Sequence, residues 1–540
     1  MKLLYNANIH TLDSSNPHGS AILIAGGRII AVGTKDQLES LVHGKVEKQD
    51  MKGATILPGL TDAHIHMQYY SLGLSKVDCE TKTKEECLQR VAERARNSKP
   101  GEWVLGHGWQ QNDWALSPSP SGGGARGGGD FPTATELDAV SPNNPVYLTA
   151  KSLHAAWANT SAMKLANITN ETPDPKDGAV QRDASGKATG IMLETAMALV
   201  NAAVPEPALA ELEAAFEKAQ SVLWKMGITG IHDFDRRQSF MTLQSLRAKG
   251  KLKLRVCKNI PVESVEQAND LGLRTGFGDE MLWIGSIKVF MDGALGPRTA
   301  AMFQPYEGEA ENRGILNMDG EELFEHARKA ADVGLSMTVH AIGDKANHEV
   351  LNAFEQLRNY ETQNHLPHLR HRIEHVQVIH PDDAPRLAKL NVIASMQPIH
   401  ATSDMVAADR YWGKRAELSY AWRTQLNYGA ILAFGSDAPV ESPNPFWGLH
   451  AAVTRQRADG SPSAEGWYAE QKLTLAEALS AYTFGAAYTA NAENRLGRLA
   501  ENYHADLIVL EEDLFKIAPA NLLTISPSAV MINGEWVLQS

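Results

Sequence analysis

Eight short apolar runs, several of them separated by helix-like stretches, constrain this chain more than any other feature. The first leads into His64-Ile65-His66. The others end at Ile231-His232, Lys258-Asn259, Val289-Phe290, Val339-His340, His375-Val376, Met396-Gln397 and Gly435-Ser436. Helical periodicity over residues 208–226 and 320–333 fills two of the intervals. Strands alternating with helices form a parallel sheet, and eight of them can close on themselves. The predicted fold class is α/β, a (β/α)8 TIM-like barrel. In such a barrel the chemistry sits at the C-terminal ends of the strands.

The chain ends are strand-like. Residues 2–11, 21–25 and 28–32, the last two joined by Gly26-Gly27, make one set; residues 505–510 and 529–538, with an Asn533-Gly534 turn, make the other. Neither has enough strands to be stable alone, so both are expected to pair into one small β-sandwich domain. The expected organisation is that β domain at 1–57 and 491–540, and a barrel at 58–490 with a long insertion at about 67–205 after its first strand. Long excursions from barrel tops often form lids or pocket walls, and the insertion is read as a lid. Its glycine-rich stretch 121–129 is read as too flexible to hold one conformation.

Composition excludes several functions. A net charge of −13 argues against nucleic acid, which needs clustered Lys and Arg. No apolar run is long enough to span a bilayer, and the first eight residues turn polar too soon for a secretory signal. Cys79, Cys87 and Cys257 form no spaced framework, which fits a reducing compartment; they are read as small core or surface residues. The expectation is a cytoplasmic protein with a small-molecule substrate, no nucleic-acid or membrane partner, and a homodimer as an open option.

His64 and His66 stand at i and i+2 on a strand, so their side chains share a face. With 19 histidines in the chain, one His-x-His pair means little by itself. The other strand ends supply its context: Lys288 near the end of the fourth, His340 on the fifth, His375 on the sixth, and Asp437 just after the eighth. Two divalent ions would use this set well, with His64, His66 and Asp437 on one and His340 and His375 on the other. A bridge must be anionic, and an ammonium cannot ligate. A buried lysine loses its proton readily, and the neutral amine can add carbon dioxide. The carbamate of Lys288 would then offer two oxygens, much as a glutamate does.

These motifs resemble the amidohydrolase superfamily, and within it the amidohydrolase-3 group, which includes deformylases of N-substituted formamides. The resemblance rests on Leu57-Pro58-Gly59-Leu60-Thr61-Asp62-Ala63-His64-Ile65-His66, the run from Ile287 to Ala300, Val339-His340-Ala341-Ile342-Gly343-Asp344, Arg372-Ile373-Glu374-His375 and Gly435-Ser436-Asp437-Ala438-Pro439-Val440. It implies zinc as the metal, one or two ions per chain, with Lys288 as the carboxylated bridge. The implied reaction is hydrolysis of a non-peptide carbon–nitrogen bond, of an N-formyl or N-acyl amine, by a bridging hydroxide. Asp437 would carry its proton to the leaving nitrogen.

Five residues are candidates for touching substrate. Arg298 would orient a substrate oxygen or form a structural ion pair. His232 and His400 follow the second and seventh strands, and Trp109 and His154 would line the pocket from the insertion. His326, His348, His365, His368 and His371 are read as surface. Two other readings compete: the same centre acting on an ester, or a regulatory relative without catalysis. The second expects missing ligands, and none is missing.

Overall fold

A computed structural model describes all residues except 43, 111–113, 115–130, 151–154, 177 and 540. The glycine-rich stretch and His154 lie outside the described residues. The chain divides into two compact units, one of Met1–Ser71 with Leu212–Ser540, the other of Leu72–Glu211.

The larger unit contains the barrel. Its strands, numbered here in chain order, are β1 (Leu60–Ile65), β2 (Ile228–Asp233), β3 (Arg255–Pro261), β4 (Leu282–Phe290), β5 (Ser336–Ala341), β6 (Arg372–His375), β7 (Ile393–Met396) and β8 (Leu432–Phe434). Each pairs in parallel with the next. A parallel bridge between Ile65 and Ala438 brings the two edges together. This is the (β/α)8 arrangement that the alternation predicts. Strands β6 to β8 are wholly buried, as parallel strands covered on both faces are. The helix Gly320–Val333 starts where Asp319 accepts the Glu322 N–H and stops at Gly334, in the left-handed region at φ 82°.

Closure depends on Asp62 and Gly435. Asp62 Oδ1 accepts the N–H groups of His64 (3.1 Å) and Ser436 (2.9 Å), and Oδ2 accepts the Ser436 hydroxyl at 2.5 Å. A Cβ on Gly435 would lie 2.4 Å from the His64 nitrogen, so only glycine lets the end of β8 approach β1 this closely. The fold thereby fixes His64 against the segment that carries Asp437.

Both chain ends enter one eight-stranded sheet. Strand Lys2–His10 pairs with Glu47–Asp50 over its first half and meets Thr55–Pro58 at Asn8 and Ile9, so it changes neighbour midway. Successive residues face opposite ways. Ile22 and Ile24 join Leu507 and Met531 in one apolar cluster, while Leu23 joins Leu3 and Leu38 in another.

The smaller unit is not a simple surface decoration. It has its own six-stranded sheet and a core containing Val91, Leu137 and Trp157. Trp109, expected at a pocket wall, is fully buried in this core; its indole N–H donates to the Leu148 carbonyl at 2.8 Å. Among the described residues no helix is long and apolar enough to cross a membrane. All three cysteines are buried and free. His371, expected at the surface, is instead fully buried because the chain enters the barrel wall there; its Nδ1 accepts the Met337 N–H at 3.0 Å, and its Nε2 lies 3.1 Å from Glu361.

Candidate metal centre

The barrel mouth gathers the side chains that the strand ends predict. Asp437 Oδ1 lies 3.4 Å from Nε2 of both His64 and His66. The ring centroids of His64 and His375 are 5.1 Å apart, and those of His340 and His375 are 4.6 Å apart. One donor atom each from His64, His375 and Asp437 falls within a mutual 4.8 Å, a spacing that could hold a metal ion. The backbone is held in unusual conformations here: His375 at φ 78°, Val376 at 42° and Asp437 at 61°. Non-glycine residues in the left-handed region are costly and concentrate at functional sites.

Neighbouring acceptors decide which ring nitrogen is free. His64 Nδ1 lies 2.6 Å from Glu374 Oε2, His66 Nδ1 lies 2.9 Å from Asp235 Oδ1, and His375 Nδ1 lies 2.8 Å from Gln397 Oε1. In His64 and His375 the acceptor places the proton on Nδ1 and leaves the Nε2 lone pair for a ligand; in His66 the Nε2 also faces Asp437 and would have to give up a proton before it could ligate. His340 is reversed: Nε2 donates to the Gly293 carbonyl at 3.0 Å, leaving Nδ1. Carboxylate or carbonyl partners of this kind orient metal-binding histidines.

The electrostatics keep most of these imidazoles neutral. Burial lowers His64 to about 4 and His340 to about 3, and drives His375 well below its ordinary value. For His66 burial works downward, but hydrogen bonds to Asp235 and Asp437 outweigh it and lift the ring to about 9. Burial also opposes charge on Glu374, yet Arg372 and His64 bring it down to about 2.

Lys288 tests the fit of a bridging group. Its side chain is buried, and among the described residues its Nζ has no hydrogen-bond partner; the rings of Phe234 (4.7 Å) and Phe290 (4.8 Å) lie against it. Burial lowers it to about 8 against the attraction of Glu374 and Asp437. An orphaned amine of lowered basicity near His64, His340 and His375 fits a group that gains ligand oxygens by carboxylation. The donor set therefore fits a divalent ion.

The remaining candidates separate. His400 Nε2 approaches Asp437 Oδ2 at 3.9 Å, and its ring lies parallel to that of His375 at 6.0 Å. His232 is buried, and its Nδ1 accepts from Arg372 Nη1 at 3.0 Å. Arg372 also ion-pairs with Glu374 at 2.9 Å, so His232 belongs to the network supporting His64. Arg298 ion-pairs with Glu309 at 2.6 Å and stacks over Tyr411, which is the structural alternative its sequence context allowed.

Asp235, Gln397, Gln377 and Arg372 carry no local sequence pattern that marks their roles. Their signal was positional: Asp235 lies two residues beyond β2, Gln397 directly follows β7, and Gln377 follows the β6 ligand by two.

Donor atoms of His64, His375 and Asp437 close enough to share an ion, at the C-terminal mouth of a parallel barrel, are the arrangement of a metal-dependent hydrolase. The chain belongs to the amidohydrolase family, whose model matches residues 47–538. It is a hydrolase of carbon–nitrogen bonds. It is 32% identical to Protein LONG AFTER FAR-RED 3 of Arabidopsis thaliana, over 94% of this chain and 86% of that protein. It is 28% identical to N-substituted formamide deformylase of Arthrobacter pascens, over 98% of this chain and 97% of that one. The crystal structure of an uncharacterized metal-dependent hydrolase from Pyrococcus horikoshii OT3 superposes with a TM-score of 0.79 at 27% identity, covering 96% of this chain and 99% of the other.

Proposed function

We propose that this enzyme releases amines from N-formyl or N-acyl amines, with zinc held by His64, His66, His340, His375 and Asp437 and with Lys288 carboxylated. When bound, the metal would supply Lewis acidity and a water acidic enough to react at neutral pH. The observation that carries the reading is Asp437 itself. Its Oδ1 faces His64 and His66, while its Oδ2 faces His400. A carboxylate so placed takes a proton at one oxygen and delivers it to a leaving nitrogen, which an amide requires because an unprotonated amine leaves poorly.

His400 would complement this role. Its Nδ1 faces the Gln377 amide nitrogen at 3.3 Å, so the proton sits on Nε2, where it is buried without a hydrogen-bond partner. Such a donor suits the oxygen on which charge develops during amide cleavage. The likeness to N-substituted formamide deformylase along nearly the whole chain supports a formyl or small acyl group. The test is metal analysis of the purified enzyme followed by a screen of N-formyl, N-acetyl and longer N-acyl amines, reading the released amine. Hydrolysis of N-formyl substrates with a zinc requirement supports the reading; activity on esters alone overturns it.

A further inference from the structure

A cavity of about 680 Å³ lies within the larger unit, lined by chain neighbours of His400 and Asp437, and both of those residues act electrostatically on its Glu441. Its wall includes Ile399 and Ser403 from the helix Pro398–Trp412, which also carries His400. Its lining also includes Glu441, four residues beyond Asp437, and Trp447 from the helix Pro445–Thr454. Part of the lining thus comes from the segment that carries Asp437, and part from the helix that carries His400.

Glu441 is its distinctive group. The side chain is half-buried and bonds to the Ser403 hydroxyl, and among the described residues it has no ion-pair partner. Burial raises its carboxyl above the ordinary range, with Asp404 and Asp437 adding to the effect; His400 opposes it. Arg457, in the same wall, keeps its charge but bonds through Nε and Nη2 to the carbonyls of Thr402 (2.8 Å) and Ser403 (3.3 Å), and among the described residues it makes no ion pair with Glu441. His450 is held by burial below its usual value and brings no charge. Trp447 is 41% exposed, with its indole N–H bonded to the Leu523 carbonyl. A carboxylate without an ion-pair partner, sharing a cavity wall with a partly exposed indole, is a combination that recognises an organic cation.

We propose that this cavity is a subsite for the amine side of the substrate, and that this amine carries a second, cationic nitrogen received by Glu441 and Trp447. The assignment to the amine side rests on the proposed function, because Asp437 delivers its proton to the leaving nitrogen and Glu441 follows Asp437 on the same segment. The preferred substrates are then monoacylated diamines rather than N-acyl alkylamines of equal length.

The test compares two free amines on metal-loaded enzyme by calorimetry: 1,5-diaminopentane and pentylamine. The diamine is expected to bind at least about tenfold tighter, with Glu441→Gln abolishing most of that difference, Glu441→Asp retaining part of it and Trp447→Leu reducing it. The same comparison is made in kcat/KM for the N-formyl derivatives. Equal binding of both amines to the wild type, or an undiminished preference in Glu441→Gln, overturns the subsite. A Glu441-dependent preference in an enzyme that cleaves no N-formyl amine would sink the amide reading and leave the subsite standing. Cleavage without any preference would do the reverse.

Discussion

Glu374 Oε2 lies 2.6 Å from Nδ1 of His64, both side chains fully buried. The pair fixes the imidazole so that its Nε2 faces Asp437, and Glu374 is charged because Arg372 stands beside it. Glu374→Gln keeps the shape and removes the charge. It is expected to weaken metal affinity about 10–100-fold, the usual effect of losing a partner of a ligating histidine. Titration with a competing chelator measures this; unchanged affinity contradicts the orienting role.

Lys288→Ala removes the orphaned amine. Metal content should fall toward one ion or none and activity should be lost, while Lys288→Glu, which brings its own carboxylate oxygens, should recover part of both. Reconstitution of metal-free wild type should speed up with added bicarbonate, and more so as pH rises through about 8, where the amine becomes neutral. Full metal content and activity in Lys288→Ala would exclude a bridge.

Asp437→Asn retains a weak oxygen ligand but cannot carry a proton. Turnover of an amide should drop about 10²–10⁴-fold. An activated ester should suffer less, since its leaving group needs no protonation. Equal losses on both substrates at unchanged metal content would remove the leaving-group role and leave ligation alone.

Away from the mouth, Arg423 holds Glu477 through two bonds, Nη1 to Oε1 at 2.7 Å and Nη2 to Oε2 at 2.5 Å, and Glu477 also accepts the Thr474 N–H at the start of helix Leu475–Ser480. The Arg423 hydrogen bond, ahead of an opposing burial effect, lowers the carboxyl from 4.5 to about 2. A depressed carboxylate binds fewer protons folded than unfolded, so its stabilisation is complete above pH 4.5 and fades as pH falls toward 2. Glu477→Gln keeps the capping-box acceptor and loses the ion pair, and is expected to cost at most about 1 kcal/mol at pH 7, the range of a partly exposed pair. Thermal unfolding should show that deficit shrinking below pH 4.5. A deficit that stays constant down to pH 3 would contradict the ion-pair origin.

What could be read from the sequence follows from range. His64, Lys288, His340, His375 and Asp437 were legible because each ends a run whose period gives its strand, and a barrel brings all strand ends to one mouth. Their partners were not. Asp235 meets His66 from 169 positions away, and Glu374 meets His64 from 310 away, so no local pattern marks either pair. The smaller unit's sheet was hidden for a related reason. Its strands are two to seven residues long, too short for a clear period, and one pairing, Ala155–Ala158 with Ala188–Glu194, skips the strand between them. Trp109 drew attention beside a histidine, but its neighbours in space are Leu148 and Trp157, so packing decides its role.

The most direct test of the whole account is an anomalous difference map from crystals of the zinc-loaded enzyme. The account predicts a peak at the barrel mouth with Nε2 of His64, His66 or His375 at about 2.0–2.1 Å, Asp437 within about 2.2 Å, and extra density continuous with Lys288 Nζ. A peak elsewhere, or one that His64 and His375 do not reach, would contradict it.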